Sequence, residues 1–197
     1  MSGFLIAFEG LDQSGKQTQA ERVRDHVMSL GRECQLLSFP DYATAIGTEI
    51  SRGLHGEREY PADVMQLMYV ANRYERRAEM SHRLANGVVL VCDRYTASSV
   101  AYGEAQGLDP RWLTEMQRFL PAADLTILLD IVPETAVQRK AAGRDRYERD
   151  LALLSLVRAS YQRQAVQPGW LLLDGQRPRD AVSADVLSAV ATRLALR

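Results

Sequence analysis

The chain has 197 residues, 46% of them hydrophobic and 25% charged, with a formal net charge of -1. Folding at this length can bury roughly 70% of the surface exposed by the unfolded chain, which excludes a stapled mini-protein, and the composition is ordinary for a soluble globular protein. The near-neutral balance gives no global field for nucleic acid or an anionic membrane, and any anionic ligand must be met by locally placed cations.

The opening MSGFLIAFEG has no basic leader and only five apolar residues in a row before Glu9, which is neither a signal peptide nor a membrane span. Cys34 and Cys92 lie in the apolar runs CQLLSF and VVLVC, as buried thiols do. They point to a reducing, cytoplasmic setting rather than a redox role.

Apolar runs at Phe4–Phe8, Leu36–Phe39, Val88–Cys92, Leu125–Asp130 and Trp170–Asp174 read as strands. Helical periodicity fills most stretches between them, which predicts an α/β fold with a parallel sheet. Four of the runs are almost uninterrupted, as in strands covered on both faces, and end at Glu9, Asp93, Asp130 and Asp174. Ligands of such sheets collect at those carboxyl ends. One helix is expected from Gln17 to Leu30. A longer one runs from Pro61 to Asn86, with Val64, Leu67, Met68, Ala71, Tyr74 and Ala78 on its apolar face. The last runs from about Arg179, with Val182, Val186, Val190 and Leu194 four apart. No repeat, low-complexity tract or linker interrupts the chain, so one domain spanning 1–197 is expected.

Between the first strand and the first helix stands EGLDQSGKQTQ, with Gly10, Gly15 and Lys16 in the frame G-x4-G-K. Chance would supply that frame roughly once in twenty chains of this length. Its position is what carries weight: loop amides and a helix N-terminus converge there as on a phosphate. A glycine-rich turn with Lys16 in solvent is the alternative, and it leaves Glu9 and Asp12 unexplained, two acids that expect a metal or substrate hydroxyls beside bound phosphate. Asp93 and Arg94 follow the third strand, an acid able to hold a metal-bound water and an arginine able to clamp a second phosphate; a surface ion pair is the plainer account.

EGLDQSGKQTQ, FPDY, ANRYE, DRYTASSVAY and GRDRYERD, in that order and over almost the whole length, make the chain similar to the thymidylate kinase family. The variants FPDY…LHGE and GK-x-T resemble its actinobacterial type. The resemblance implies a P-loop kinase fold, a three-layer αβα with a five-stranded parallel sheet and a short mobile lid at about 139–149. It implies transfer of the γ-phosphoryl group of ATP to dTMP with Mg²⁺, in a homodimer that takes small-molecule substrates and neither nucleic acid nor membrane.

Residue by residue, the resemblance assigns ATP to Gly10, Leu11, Asp12, Gln13, Ser14, Gly15, Lys16, Gln17 and Thr18. It puts Phe39 and Tyr42 on the floor of the monophosphate site, Tyr69 on the face of thymine, Arg73 on its carbonyl edge, and Arg94 on the acceptor phosphate. From spacing alone Tyr69 and Arg73 read as a core aromatic and a solvated arginine. Ser98 and Tyr102, four apart on one helix face, resemble sugar-side residues, with the Tyr102 ring crowding the 2′ carbon, and Asp12 joins the acceptor set. Ser99 stands where close relatives carry Asn.

The basic run Arg139, Lys140, Arg144, Arg146, Arg149 is as sequence a solvated helix face. Beside this site it resembles the lid. Because Gln13 replaces a loop arginine of some relatives, catalytic charge is expected from Arg144, then Arg139, alongside Lys16, Asp93 and Arg94. Gln17 replaces the usual metal-binding hydroxyl, so the metal is expected on Asp12, Asp93 and Glu148, with Thr18 in support. A deoxynucleoside kinase would need a carboxylate base and no monophosphate clamp, and a non-catalytic nucleotide-binding protein, which Gln13 and Gln17 suggest, is disfavoured by the joint retention of Lys16, Asp93, Arg94 and the lid arginines.

Overall fold

The computed structural model describes residues 3–139 and 150–195. Five strands, β1 (Phe4–Glu9), β2 (Cys34–Ser38), β3 (Val89–Asp93), β4 (Leu125–Asp130) and β5 (Trp170–Asp174), form one parallel sheet in the order β2-β3-β1-β4-β5. Phe4 lies beside Val89 and Ile6 beside Leu125, so β1 is flanked on both sides. The chain leaves β1 toward β3 and β2 on one side and later crosses to β4 and β5, and the β1 loop therefore sits at the topological switch point.

Strand alternation sends Phe4, Ile6 and Phe8 to one face, where Val23 and Val27 of α1 (Lys16–Ser29) and Val182, Val186 and Val190 of α8 (Arg179–Ala195) cover them. Leu5 and Ala7 point to the other face, under Met80 of α3 (Ala62–Ala85). Leu128 packs there against Ala101 of α4 (Thr96–Ala105) and Val157 of α7 (Leu151–Gln164). The three layers are thus set by which side of each strand is apolar. The remaining helices are α2 (Ala45–Leu54), α5 (Pro110–Glu115) and α6 (Pro133–Arg139). Among the described residues no helix is long and apolar enough to cross a membrane.

Two expectations need correction. β2 begins at Cys34 and ends at Ser38 rather than running Leu36–Phe39; Phe39 leaves the sheet and is buried with Tyr95 instead. In α3 the buried face is Met65, Gln66, Val70, Asn72, Arg73 and Met80, while Leu67 is 49% exposed. Half of that buried face is polar, which an apolar periodicity cannot register. The thiols behave as expected in kind: Cys92 is buried, Cys34 partly so, and burial raises both above the ordinary thiol value, Cys34 to about 11.

Candidate active site

The loop after β1 is made of backbone. Gly10 has φ +137, and a Cβ there would stand 2.5 Å from the Leu129 carbonyl oxygen of β4, so only glycine lets the loop lie against the sheet. Gln13 and Gly15 adopt left-handed conformations, φ 62 and 97, turning the chain into α1 with no side chain capping its first amides. Those amides are free to meet an anion. Lys16 is 5% exposed and its Nζ donates to the Leu11 carbonyl at 2.7 Å. Burial and the nearby Arg94 cation push the ammonium down to about 8, against the pull of Asp12, Asp93 and Glu9. Gln17 donates its amide along the helix to Glu21 at 3.0 Å, and it borders, with Thr18, Lys16, Asp93 and Arg94, a cleft of about 330 Å³.

Arg94 has φ +64, rare for a side-chain-bearing residue, held by its N–H donating to the Phe8 carbonyl at 2.9 Å. Its Nη2 donates to Asp12 at 2.7 Å and its guanidinium lies 5.3 Å from the centre of the Tyr102 ring. Its Nη1 donates to the hydroxyls of Ser98 and Tyr161, both at 3.2 Å. These two hydroxyls in turn donate to the Glu9 carboxylate at 2.6 and 3.0 Å. Glu9, wholly buried, also accepts the amides of Tyr95 and Ser98 at 2.8 and 3.2 Å.

Glu9 is therefore answered by protein and not by metal or substrate, because the N-terminus of α4 and two hydroxyls saturate its lone pairs. Ser98 is likewise a support, spanning Glu9 and Arg94. Asp12 faces Arg94 and Tyr102 with its two oxygens, at 2.7 and 3.5 Å. Asp93 has one buried carboxylate oxygen with no hydrogen-bond partner. The buried Ser14 hydroxyl has none either.

Beside Arg94 lies a cavity of about 110 Å³ lined by Phe39, Tyr42, Tyr69, Arg73, Ser99 and Tyr102, together with Asp12, Arg94 and Ser98. Arg73 is 3% exposed, which excludes the solvated reading of this residue. Its Nη1 donates to Ser99 Oγ at 2.8 Å and more weakly to Tyr69 O and Gln117 Oε1, while Nε has no partner. The loop carrying Phe39 and Tyr42 is fixed from α3: Asn72 accepts the Asp41 amide at 2.7 Å, and Arg76 donates to the Asp41 carboxylate at 2.8 Å. Although partial burial opposes it, that arginine holds the Asp41 carboxyl below its usual range.

Several of these residues were not singled out from sequence. Asn72 lies inside ANRYE, and its place in that motif is the signal that could have singled it out. Tyr161, from α7, lies in no motif, and Gln66 lines the cavity from a position that reads as an ordinary helix residue. Arg139, at the end of α6, donates to the Gln13 and Gly175 carbonyls at 3.0 and 3.1 Å, and so meets the phosphate loop from outside. Lys140, Arg144, Arg146, Glu148 and Arg149 lie outside the described residues.

The family model described as thymidylate kinase matches residues 8–186. A thymidylate kinase of Homo sapiens is 32% identical over 197 residues, 98% of this chain and 93% of that protein. One of Dictyostelium discoideum is 32% identical over 187 residues, 94% of this chain and 84% of its own length. One of Arabidopsis thaliana is 40% identical over 147 residues, which span 75% of this chain but only 56% of that longer protein. Among solved structures, the thymidylate kinase from Candida albicans superposes with a TM-score of 0.81 at 28% identity, covering 97% of this chain and 92% of that one.

Proposed function

The chain belongs to the thymidylate kinase family, and from that premise we propose that it transfers the γ-phosphoryl group of ATP to dTMP, giving dTDP and ADP. The observation that carries this is the place of Arg94, which lines both the cleft beside the phosphate loop and the cavity of Tyr69 and Arg73. A guanidinium there meets a phosphate whose nucleoside occupies the cavity, while the loop amides and Lys16 hold the donor phosphates.

Phosphoryl transfer needs position and neutralised charge, and a phosphate acceptor is already an anion, so no general base is required. That suits the chain: Glu9 is consumed by four hydrogen bonds and Asp12 by Arg94. A deoxynucleoside kinase would need one of these acids free to take a hydroxyl proton. A protein that only binds nucleotide would use the lysine at the loop but not a second guanidinium, Arg94, facing an acceptor cavity.

Mg²⁺ fits the site. Asp93 offers a buried, unpartnered carboxylate oxygen near Lys16, and this ion takes most of its ligands from phosphates and water. Accordingly no group of three or more metal-ligating side chains stands ready among the described residues. When bound, the ion neutralises phosphate oxygens. Asp93 is the residue we assign to hold it, with Glu148 as a second acid and Asp12 kept to Arg94. Charge at the transferring group is assigned to Arg144, with Arg139 positioning the loop; Arg144→Ala should lower kcat at least tenfold.

A single domain over 1–197 with a lid at 139–149, a homodimer and a cytoplasmic setting complete the proposal. The narrower actinobacterial likeness rests on the FPDY…LHGE and GK-x-T variants alone, and the relatives named above are eukaryotic. The test is ADP release with ATP and dTMP, dUMP, the ribose form of dTMP, dCMP or thymidine as acceptor. dTMP is expected to be the best substrate, and a preference for thymidine would overturn the assignment.

A further inference from the structure

Gln66 stands on α3 three residues before Tyr69 and seven before Arg73, so all three share one face of the helix. It is wholly buried and lines the cavity, yet neither its amide oxygen nor its amide nitrogen has a hydrogen-bond partner. The contrast within α3 is sharp: Asn72, equally buried, bonds the Asp41 amide, the Asp41 carbonyl and the Thr44 hydroxyl. Buried polar groups are rarely left unpaired, and a doubly orphaned amide at a cavity wall marks a place where a ligand supplies the partners.

The chemistry of that ligand follows from the donors and acceptors present. Arg73 has only donors, so its open Nε calls for a carbonyl. A primary amide offers an acceptor beside a donor, and its complement is an N–H beside a carbonyl. A base with a carbonyl and an adjacent ring N–H answers both, which is the imide edge of a uracil-type pyrimidine. Cytosine presents an amino donor to Arg73 and has no ring N–H at that edge.

Resting on the dTMP assignment above, we propose that Gln66 is a specificity-determining residue that accepts the imide N–H of the base and donates to a neighbouring carbonyl. The test compares kcat/KM for dTMP, dUMP and 3-deaza-dTMP, in which the imide N–H is replaced by C–H, in the wild type and in Gln66→Met. Sites built to bond an N–H discriminate strongly against its loss. The wild type should favour dTMP over 3-deaza-dTMP at least tenfold, and Gln66→Met should shrink that ratio at least tenfold, mainly through KM. The preference for dTMP over dUMP should stay within twofold, because both bases carry the same imide. The ligand-free variant should melt no lower than the wild type, since an unpaired polar group has been removed. A ratio unchanged by the substitution overturns the proposal and makes the amide a structural or hydrated group. If the variant does not fold, the imino proton of ¹⁵N-labelled dTMP bound to the wild type decides: it should be protected from exchange, and rapid exchange overturns the proposal. Failure of the wild type to turn over dTMP sinks the assigned activity itself, an outcome distinct from an active enzyme with an unchanged ratio.

Discussion

Backbone lines the phosphate-loop side of the site, and side chains line the cavity side. Around Gly10, Gln13 and Gly15 the contacts are amides and carbonyls, and even Lys16 rests on the Leu11 carbonyl. Around Arg73 and Glu9, side chains from α4, α5's flank and α7 supply partners that the backbone alone does not, and on α3 the Asn72 side chain grips the neighbouring loop. A backbone cradle accepts any triphosphate, whereas a cage of fixed side chains fits one base. Discrimination should therefore be a property of the cavity side, and Arg94, which touches both, marks the border between them.

The most severe test of that border is Arg94→Ala. Removing a charge donor of this kind costs about 10²–10³ in rate, and here the fall in kcat/KM should appear with dTMP as the varied substrate. An equal rise in KM for ATP would show that the two halves are not separable. Next comes the rigidity of the cage. Glu9→Met leaves the buried amides of Tyr95 and Ser98 unpaired, and at about 1–3 kcal/mol for each unpaired group the melting midpoint should fall by roughly 4–24 °C. An unchanged midpoint would mean the cage does not depend on Glu9.

A smaller effect concerns the loop. With Lys16 lowered to about 8 in the ligand-free protein, kcat/KM for ATP should decline as pH rises through that value, by up to tenfold per unit. The stability effect has the opposite sense: between about 8 and the usual 10.5 the unfolded chain binds the proton that the folded one has lost, so this group's contribution to stability grows with pH. A flat profile from pH 7 to 9.5 would show that bound phosphates alone govern the charge. The smallest effect is expected at Gln17→Ala. Its amide is spent on Glu21, so kcat and the Mg²⁺ concentration for half-maximal rate should stay within about twofold. A crippled variant would show that the loop uses this glutamine for its metal.

How far the sequence alone reaches depends on which force builds each part. β1, β3 and β4 are buried on both faces, so they read as continuous apolar runs, and their ends were legible to within a residue. β2 is a half-exposed edge strand opening with Cys34 and Gln35, and hydrophobicity marks its start late. The phosphate loop was legible because its chemistry needs glycine at fixed places. The cage was less so, since burial of Gln66, Asn72 and Arg73 depends on partners distant in the chain, and Glu9 looked like a ligand until the start of α4 was seen to close over it. Tyr161 arrives from 152 residues away, a separation no local pattern encodes.

α3 carries two working stripes on a single 24-residue rod. Gln66, Tyr69 and Arg73 form one, while Asn72 and Arg76 form the other, gripping Asp41. Each residue added to a helix turns everything beyond it by about 100°. An insertion between Tyr69 and Asn72 would thus swing the grip on Asp41 away from its loop while preserving every side chain. The bend before this helix is open at one point: Gly56, at φ +78, has nothing within 4 Å of where a Cβ would stand. Changes in chain length are therefore barred from the helix between 66 and 76, so the spacing of those residues is as much a part of the site as their identity.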